Sequence, residues 1–569
     1  MSEVRSLVRV DFADHGSRAE FAVHRSRLVG INLELEGPKP SICTTDCAGR
    51  DAGLRRAQST RLAESGYHHS SPAGTETTSI QRMSTNIAAR LDRLPISRTI
   101  FKMVTLISLG GFFEFYDIFL TAYIAPGLYK SGMFSPVSSN VFGSDNIATF
   151  IAVFFAGLFV STLFLSRIAD RFGRRTIFNF SLLWYSVCTV AMAFQTSSPA
   201  ILFFRFAAGI GIGMELVVID TYLSELVPKT SRGRAFAFNQ LLSFLAIPVV
   251  ALASFFLVPR SFWGIDGWRW VTLIGSTGAF LVFFVRRTLP ESPRWLEQSG
   301  RHQEADRIMR QIEERVQDET GERLAPHSDT ATPQDSATPH SSTPLLHHSD
   351  QPDSRTRTTT ITKRLEGFKE IWRPPYRRRT IMLMIFNLCQ AIGFYGFANW
   401  VPTFLLSKGI TITKSLEYSF IIAFANPIAP LIGQLFAEKI ERKWQIVWSA
   451  LGIAGFGLCF SQQTSLPGVV TFGVLVTLSA NFMSFAFHAY QAELYPTRIR
   501  AQGVGFVYSW SRFGGMIGSF AIATVLKEYG SVGAFGFIAF CMIIVVIAIG
   551  GFGPRTNFLS LEEINSVPE

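Results

Sequence analysis

The sequence has little charge and little cysteine, and each shortage narrows its class. Only 17% of its 569 residues are charged, whereas 48% are hydrophobic. Several soluble domains, which this length would otherwise suggest, are excluded because such domains need a more polar surface. The six cysteines show neither a zinc-ligand spacing nor a plausible disulfide pair. Most of them lie in apolar runs, where a thiol behaves as a small hydrophobic group.

Motifs of catalysis and secretion are also missing. The sequence contains no His-Glu-x-x-His metal motif and shows no apolar signal-peptide core after its early arginines. A glycine run at 209–213 is not followed by the Gly-Lys-Ser/Thr of a phosphate-binding loop. We therefore expect no enzymatic activity, no metal and no cofactor.

Long apolar runs dominate what is present. A bilayer core needs about 20 mainly apolar residues per helix. The sequence predicts an all-α membrane protein with twelve transmembrane helices, here called spans 1–12. They are expected at 100–125, 147–166, 177–195, 200–222, 235–258, 268–288, 380–405, 417–437, 445–463, 468–490, 502–526 and 531–552.

Two polar regions interrupt this pattern. Residues 1–98 form a tail, of which residues 1–82 are expected to be disordered or to precede the natural start at Met83. The linker 297–376 is charged and contains a biased stretch from Pro326 to Ser354, which we expect to be disordered. The resulting divisions are 1–98, 99–296 for the first six spans, 297–376, 377–553 for the last six, and a tail at 554–569.

Loop charge predicts the orientation. With both termini placed in the cytoplasm, the short inner loops hold most of the lysines and arginines, as membrane insertion requires. Basic clusters that flank apolar runs also account for the net charge of +11 without nucleic acid as a partner. We expect a multi-pass plasma membrane protein, in bacteria the inner membrane, that works as a monomer.

The two sets of spans repeat each other. Asp170-Arg171-Phe172-Gly173-Arg174-Arg175 corresponds to the segment from Glu438 to Lys443, with an offset of 438 − 170 = 268. Glu225 and Glu493, each in a Tyr-x-x-Glu-x-x-Pro segment, give the same offset, since 493 − 225 = 268. One offset shared by two separate motifs indicates a duplicated six-helix unit.

These motifs resemble the major facilitator superfamily over residues 99–564. The 170–175 loop looks like the signature between helices 2 and 3, and Arg205 with the glycines of 209–213 resembles the helix-4 motif. The segment 289–296, Leu-Pro-Glu-Ser-Pro-Arg-Trp-Leu, is similar to the end of helix 6 in sugar porters and niacin-type carriers. The resemblance implies two six-helix, pseudo-symmetric halves with a solute site between them near mid-membrane.

Departures from the sugar-porter motifs weaken the case for a sugar as the solute. Ser166 and Glu441 replace glycines of the loop motifs, and Arg555 replaces a glutamate after helix 12. The glutamine-rich helix-7 motif is missing, while the run 509–515 looks more like helix 11 of aromatic-acid, niacin and organic-anion carriers.

Ionisable residues within spans are costly unless they face a partner or the protein interior. Span 1 carries Glu114 and Asp117 on one face, and span 4 carries Arg205 and Glu215. Asp117 and Arg205 lie at similar depths, about 12 Å and 8 Å below the same surface, so the two can pair. Proton symporters of the sugar-porter type use such a pair for coupling, which implies this role for Asp117, Glu114 and Arg205. The alternative is a permanent structural ion pair.

Arg512 stands in the middle of span 11. It either packs against backbone carbonyls or an acid such as Glu114, or faces the cavity and holds a substrate carboxylate through two hydrogen bonds. The remaining candidates for substrate binding are polar or aromatic residues of spans 4, 5, 7 and 11. They are Glu215, Gln240, Gln390, Tyr395, Asn399, Trp400, Tyr508 and Trp510.

Charged residues at the cytoplasmic span ends suggest a gate. Ion pairs there can hold that face shut while the site opens outward. The candidates are Asp170, Arg171, Gly173, Arg174, Arg175, Glu225, Arg232, Glu438, Arg442, Glu493 and Arg500.

Together these features predict a secondary active transporter, with a small solute, the proton and the lipid bilayer as its partners. Proton-coupled symport of a small organic anion is the favoured function. Uptake of a sugar or polyol, or a non-transporting nutrient receptor on the same fold, are the alternatives.

Overall fold

The computed structural model describes residues 87–135, 140, 142–165, 171–321, 368–374, 376–436, 440–496 and 499–556. The predictions for residues 1–82 and for the stretch from Pro326 to Ser354 lie outside the described residues. The same holds for Asp170 and Glu438, two of the predicted gate residues.

Apolar helices run through both halves of the described chain. Spans 1–6 are Arg98–Lys130, Ile147–Val160 with a π-helical turn at Ser161–Leu165, Arg174–Ala193, Ser198–Leu226, Arg232–Leu257 and Gly267–Arg286. Spans 7–10 are Tyr376–Ala398 with Val401–Ser407, Ile412–Ala423 with Ala425–Phe436, Arg442–Gln462 and Leu466–Glu493. A two-stranded pair, Ser261–Phe262 and Ile265–Asp266, forms the turn between spans 5 and 6.

The last helix, Arg500–Phe552, contains two spans. Its 53 residues would extend about 80 Å, well over twice the roughly 30 Å of a bilayer core. Gly530 divides it, because its φ of 64° and ψ of −164° are non-helical and suit glycine. With spans 11 and 12 on either side of Gly530, the described residues contain the twelve predicted transmembrane helices.

Spans 7 and 8 differ from their prediction as continuous helices. Span 7 breaks at Asn399 and Trp400, and Pro402 explains the break because it has no N–H for the carbonyl of Ala398, four residues before it. Span 8 begins earlier than expected, at Ile412, and is interrupted at Phe424. Here Pro427 leaves the carbonyl of Ala423 without a backbone donor in the same way.

The predicted linker contains a helix that the sequence reading missed. His302–Thr320 buries Ala305, Met309, Ile312 and Val316, a spacing of three and four residues, and Gly321 ends it in the left-handed conformation. Its buried side belongs to one cluster with Ile87 and Leu91 of the short helix Ile87–Asp92. Arg90 ties the two helices through Asp306 and Glu313, each at 2.6 Å.

The two halves contact each other on the side away from the loop motifs. We call the end of the bundle that holds Arg174 and Arg442 the motif face. At the opposite end the Tyr129 hydroxyl lies 2.9 Å from that of Thr403, which joins span 1 to the helix Val401–Ser407. Nearer the middle, Phe155 of span 2 packs edge-on against Tyr395 of span 7, with ring centroids 4.7 Å apart.

Candidate functional site

Asp117 and Arg205 form the predicted pair in the interior of the first half. Arg205 Nη1 donates to Asp117 Oδ2 at 3.0 Å, and its Nη2 donates to the Asp117 carbonyl at 2.7 Å and to the Thr121 hydroxyl. Thr189 of span 3 donates to the other carboxylate oxygen at 3.4 Å. The guanidinium also lies over the Phe154 ring, 3.9 Å from its centroid. Spans 1, 3 and 4 thus hold one charged pair away from water.

Glu114, one turn before Asp117, has a different environment. It is 1% exposed, and its Oε1 has no hydrogen-bond partner among the described residues. The charges of Arg512, Arg286 and Glu215 act on it from three other spans. Glu114 is therefore a buried acid between the two halves, not a member of the Asp117–Arg205 pair.

Glu215 lies in a second buried ion pair that the sequence reading did not predict. Arg286, at the end of span 6, donates to Glu215 Oε1 at 2.9 Å, and both side chains are fully buried. The guanidinium also donates to the Leu106 and Ile107 carbonyls. A Cβ at Gly110 would lie 1.4 Å from Arg286 Nη2 and 2.6 Å from Glu215 Oε1, so a side chain there would displace the pair. These contacts give Glu215 a partner within the first half, and its contact with a substrate stays a prediction.

This pair can be tested by stability. We expect Arg286→Met to lower the melting temperature of the purified protein by several degrees, because it leaves a buried carboxylate without its cation. Arg286→Met combined with Glu215→Gln should recover much of the loss. The neighbouring, exposed Arg287→Met serves as the control. A single variant as stable as the wild type would contradict the assignment, and detergent thermal melts measure each case.

Arg512 is buried in the middle of span 11 between two tyrosines. It is 1% exposed, and it donates to Tyr395 Oη at 2.9 Å and to Tyr508 Oη at 3.1 Å. Neither backbone carbonyls nor an ion pair with Glu114 surrounds it, and its Nε has no partner among the described residues. Two neutral hydroxyls thus hold this buried cation, and the charge of Glu114 acts on it without a direct ion pair.

A cavity of about 30 Å³ lies between the halves, lined by spans 1, 5, 7, 8 and 10. We call it the interface cavity. The predicted binding residues Gln240, Gln390 and Asn399 are not among its lining residues; Asn399 is 2% exposed, and both atoms of its amide lack partners among the described residues. Tyr395 and Trp400 line a narrow cleft between spans 7 and 11 instead.

Two ion pairs at the motif face occupy equivalent positions. Arg174 contacts Glu225 at 3.2 Å in the first half, and Arg442 contacts Glu493 at 2.7 Å in the second. The offset of 268 relates the arginines, 442 − 174, as well as the glutamates. Each pair joins residues of one half.

The other arginines that were predicted as gate residues make separate contacts. Arg232 lies 4.0 Å from Asp92, and Arg171 lies over the Phe172 ring. Arg175 donates to the Arg287 carbonyl, and Arg500 donates to the Tyr495 carbonyl.

Glu291, in the Pro-Glu-Ser-Pro-Arg segment, caps the start of span 3. Its Oε1 accepts from the backbone N–H groups of Arg174, Arg175 and Ser292 at 2.9, 3.0 and 3.0 Å. Gly173, the residue before the helix, has no side chain for this purpose. Burial raises the pKa of Glu291, and the three backbone donors offset part of that rise. The segment therefore fastens the end of span 6 to the loop motif.

We infer a crevice between the halves at the motif face from two exposed residues near the ends of spans 4 and 10, Asp220 and His488. The offset of 268 relates them, and both are exposed although they belong to spans 4 and 10. The His488 ring packs on Tyr508 at 5.4 Å between centroids, and the charge of Asp220 acts on Tyr508 and Glu114. Both side chains therefore face the space between the halves rather than the outside of the bundle.

Comparison with known proteins finds a family match over most of the chain. Residues 103–567 match the family described as sugar (and other) transporter. The Bacillus subtilis protein YyaJ, whose name describes a metabolite transport protein, is 31% identical over 83% of this chain and 96% of its own. The niacin transporter NiaP of Acinetobacter baylyi is 26% identical over 84% of this chain and 99% of its own.

The fold also matches a solved structure. The xylose transporter XylE of Escherichia coli, in an inward open conformation, superposes with a TM-score of 0.62 at 19% identity. The match covers 83% of this chain and all of XylE. At this identity the likeness shows the fold.

Proposed function

Since the chain belongs to the sugar (and other) transporter family of the major facilitator superfamily, we propose that it couples the uptake of a small organic anion to protons. It is a multi-pass membrane transporter and not an enzyme. In the proposed function, a carboxylate solute and a proton move together by alternating access.

Arg512 carries the proposal for an anion. A buried guanidinium costs several kcal/mol unless an acid or a ligand compensates its charge. The two tyrosine hydroxyls supply hydrogen bonds but no charge, and Glu114, whose charge acts on Arg512, makes no direct ion pair with it. Arginine presents a planar fork that matches a carboxylate, and the nearby crevice gives a solute access. A niacin transporter among the relatives agrees with a small carboxylate, whereas the fold likeness to a xylose transporter does not bear on the solute.

The Asp117–Arg205 pair supports proton coupling. In the paired state the Arg205 guanidinium, 3.0 Å away, opposes the charge of the Asp117 carboxylate. If alternating access separates the pair, a carboxylate left in a low-dielectric interior becomes costly and takes up a proton. One side chain can then carry one proton per cycle, with Arg205 as the switch and Glu114 as a second acid on the path.

The motif face is proposed to be cytoplasmic, with both termini on that side of a bacterial inner membrane. Its short loops carry most of the basic residues, which resist translocation. In this orientation the contacts between Tyr129 and Thr403 close the outer side, and the crevice at Asp220 and His488 opens inward. The Arg174–Glu225 and Arg442–Glu493 pairs then belong to the cytoplasmic gate of a monomeric carrier.

A reconstituted transport screen tests the proposal. Proteoliposomes with an imposed inward proton gradient should accumulate a labelled aromatic or short-chain carboxylate, and a proton ionophore should abolish the accumulation. Xylose and a polyol are the neutral comparison solutes. Accumulation of only the neutral solutes would replace the organic anion by a sugar. Accumulation driven by the opposite gradient would indicate antiport, and binding without counterflow would indicate a receptor.

A further inference from the structure

We propose that the interface cavity is a second subsite, which receives a hydrogen-bond-donating group of the solute, either a hydroxyl or an amide. The proposal rests on the proposed function, because it assumes a solute whose carboxylate binds at Arg512. It adds a requirement on the solute's other end. The acceptors are residues of spans 8 and 10 that the sequence reading did not select.

The cavity lies where two helices are broken. Its lining includes Ala398 and Val401, on either side of the break in span 7, and Ala423 and Asn426, on either side of the break in span 8. Interrupted helices leave backbone polar groups without their helical partners, and transporters place solute sites at such points. Tyr395, which holds Arg512, follows directly after the cavity residue Phe394. The Phe394 and Tyr395 rings lie 5.0 Å apart between centroids, so the two subsites are neighbours.

The orientation of Asn481 follows from its hydrogen bonds. Pro427 has no N–H to donate to the carbonyl of Ala423, four residues before it. Asn426 Nδ2 donates to that carbonyl instead, at 2.9 Å. Asn426 must therefore turn its Oδ1 towards Asn481, which donates to it through Nδ2 at 3.0 Å. Asn481 Oδ1 is left buried without a partner among the described residues. The network itself thus fixes which end of the amide is free.

The neighbouring hydroxyls also offer acceptors. Thr477 donates to the Gly473 carbonyl at 2.9 Å and Ser419 donates to the Ser415 carbonyl at 2.7 Å. Each hydroxyl donates its only proton to a carbonyl of its own helix and keeps its oxygen lone pairs free to accept. Together with Asn481 Oδ1, this wall is rich in acceptors. Tyr123 lines the cavity from span 1, and its hydroxyl can act either way. A solute group that donates is the complement of this wall.

The size of the cavity sets what enters it. A void of about 15 Å³ holds one water molecule, so about 30 Å³ holds roughly two. One hydroxyl or one amide fits that space, whereas an aromatic ring does not. The apolar portion of the solute would lie against Phe394 and Phe397, which also line the cavity. The fitting solute is a carboxylate with a hydroxyl or amide at its far end.

Binding of matched acids tests this subsite. Dissociation constants of the purified full-length chain are measured by calorimetry for benzoate against 4-hydroxybenzoate, and for butyrate against 4-hydroxybutyrate. We expect the wild type to bind the hydroxylated member of at least one pair about tenfold more tightly, because it satisfies a buried acceptor. Asn481→Leu should reduce that preference to twofold or less without weakening the unhydroxylated acid. Thr477→Val, which keeps the side-chain shape, should reduce it in part.

The controls separate this inference from the proposed function. Ser479→Ala, on the same helix but facing Gly452, should keep the full preference. A wild type that binds both acids of each pair equally, or a preference that survives in both Asn481→Leu and Thr477→Val, would overturn the subsite and leave the organic anion in place. Binding of none of the four acids would overturn the proposed anion, and the subsite with it. If Asn481→Leu does not fold, Thr477→Val alone decides.

Discussion

Asp117→Asn is expected to abolish accumulation of the solute while leaving exchange largely intact. An inward gradient of one pH unit sustains about a tenfold concentration ratio in one-to-one symport of a monoanion and a proton. Without an acid to carry the proton, the variant should only equilibrate the solute, so the ratio falls to about one. Counterflow of labelled against unlabelled solute needs no net proton transfer and should continue. Both are measured in the same proteoliposomes.

The neighbouring acid provides the sharpest control. Glu114→Gln changes a carboxyl one turn away that has no ion pair among the described residues, whereas Asp117→Asn removes the partner of a buried arginine. Retained counterflow shows that Asp117→Asn still folds despite its unpaired Arg205. If Asp117→Asn still accumulates solute against a gradient, Asp117 is not the coupling residue. Loss of accumulation in Glu114→Gln instead would move coupling to Glu114.

The fold was predictable because a bilayer requires long apolar helices, which the sequence shows directly. Length and hydropathy place twelve helices, and a constant offset of 268 divides them into two equivalent sets. The breaks in spans 7 and 8 were missed although Pro402 and Pro427 signal them. Hydropathy does not register a proline in an apolar run, but the backbone does, since the carbonyl four residues before it loses its donor.

The partner of a buried charged residue was predictable only where the membrane depth of both residues brings them together. Asp117 and Arg205 lie at similar depths on neighbouring spans, so sequence spacing brings them together. Arg286 was missed because it stands at the end of a span, where an arginine also suits a basic loop. Tyr508 lies four residues from Arg512 and shares its face by helical geometry. Tyr395, in contrast, comes from span 7, and no pattern in sequence sets the rotation of span 7 against span 11.

Arg512→Lys is expected to raise the KM for a carboxylate solute by about 10- to 100-fold. Lysine keeps the charge but loses the planar fork, so one charge-assisted hydrogen bond, worth about 1.5–3 kcal/mol, disappears. Arginine donates to the Tyr395 and Tyr508 hydroxyls from two separate nitrogens, whereas lysine has only one nitrogen and reaches both hydroxyls less well. Initial rates of uptake at varied solute concentration measure the change.

The charge of the solute decides how this result is understood. Arg260→Lys, in an exposed loop, is the matched control and should leave the KM unchanged. A neutral sugar makes no ion pair with the guanidinium, so a carrier for sugars should tolerate the exchange at position 512. Uptake of a neutral sugar that is undiminished in Arg512→Lys would contradict the organic anion. Arg512 would then have a packing role between Tyr395 and Tyr508, with Glu114 as the nearby opposite charge.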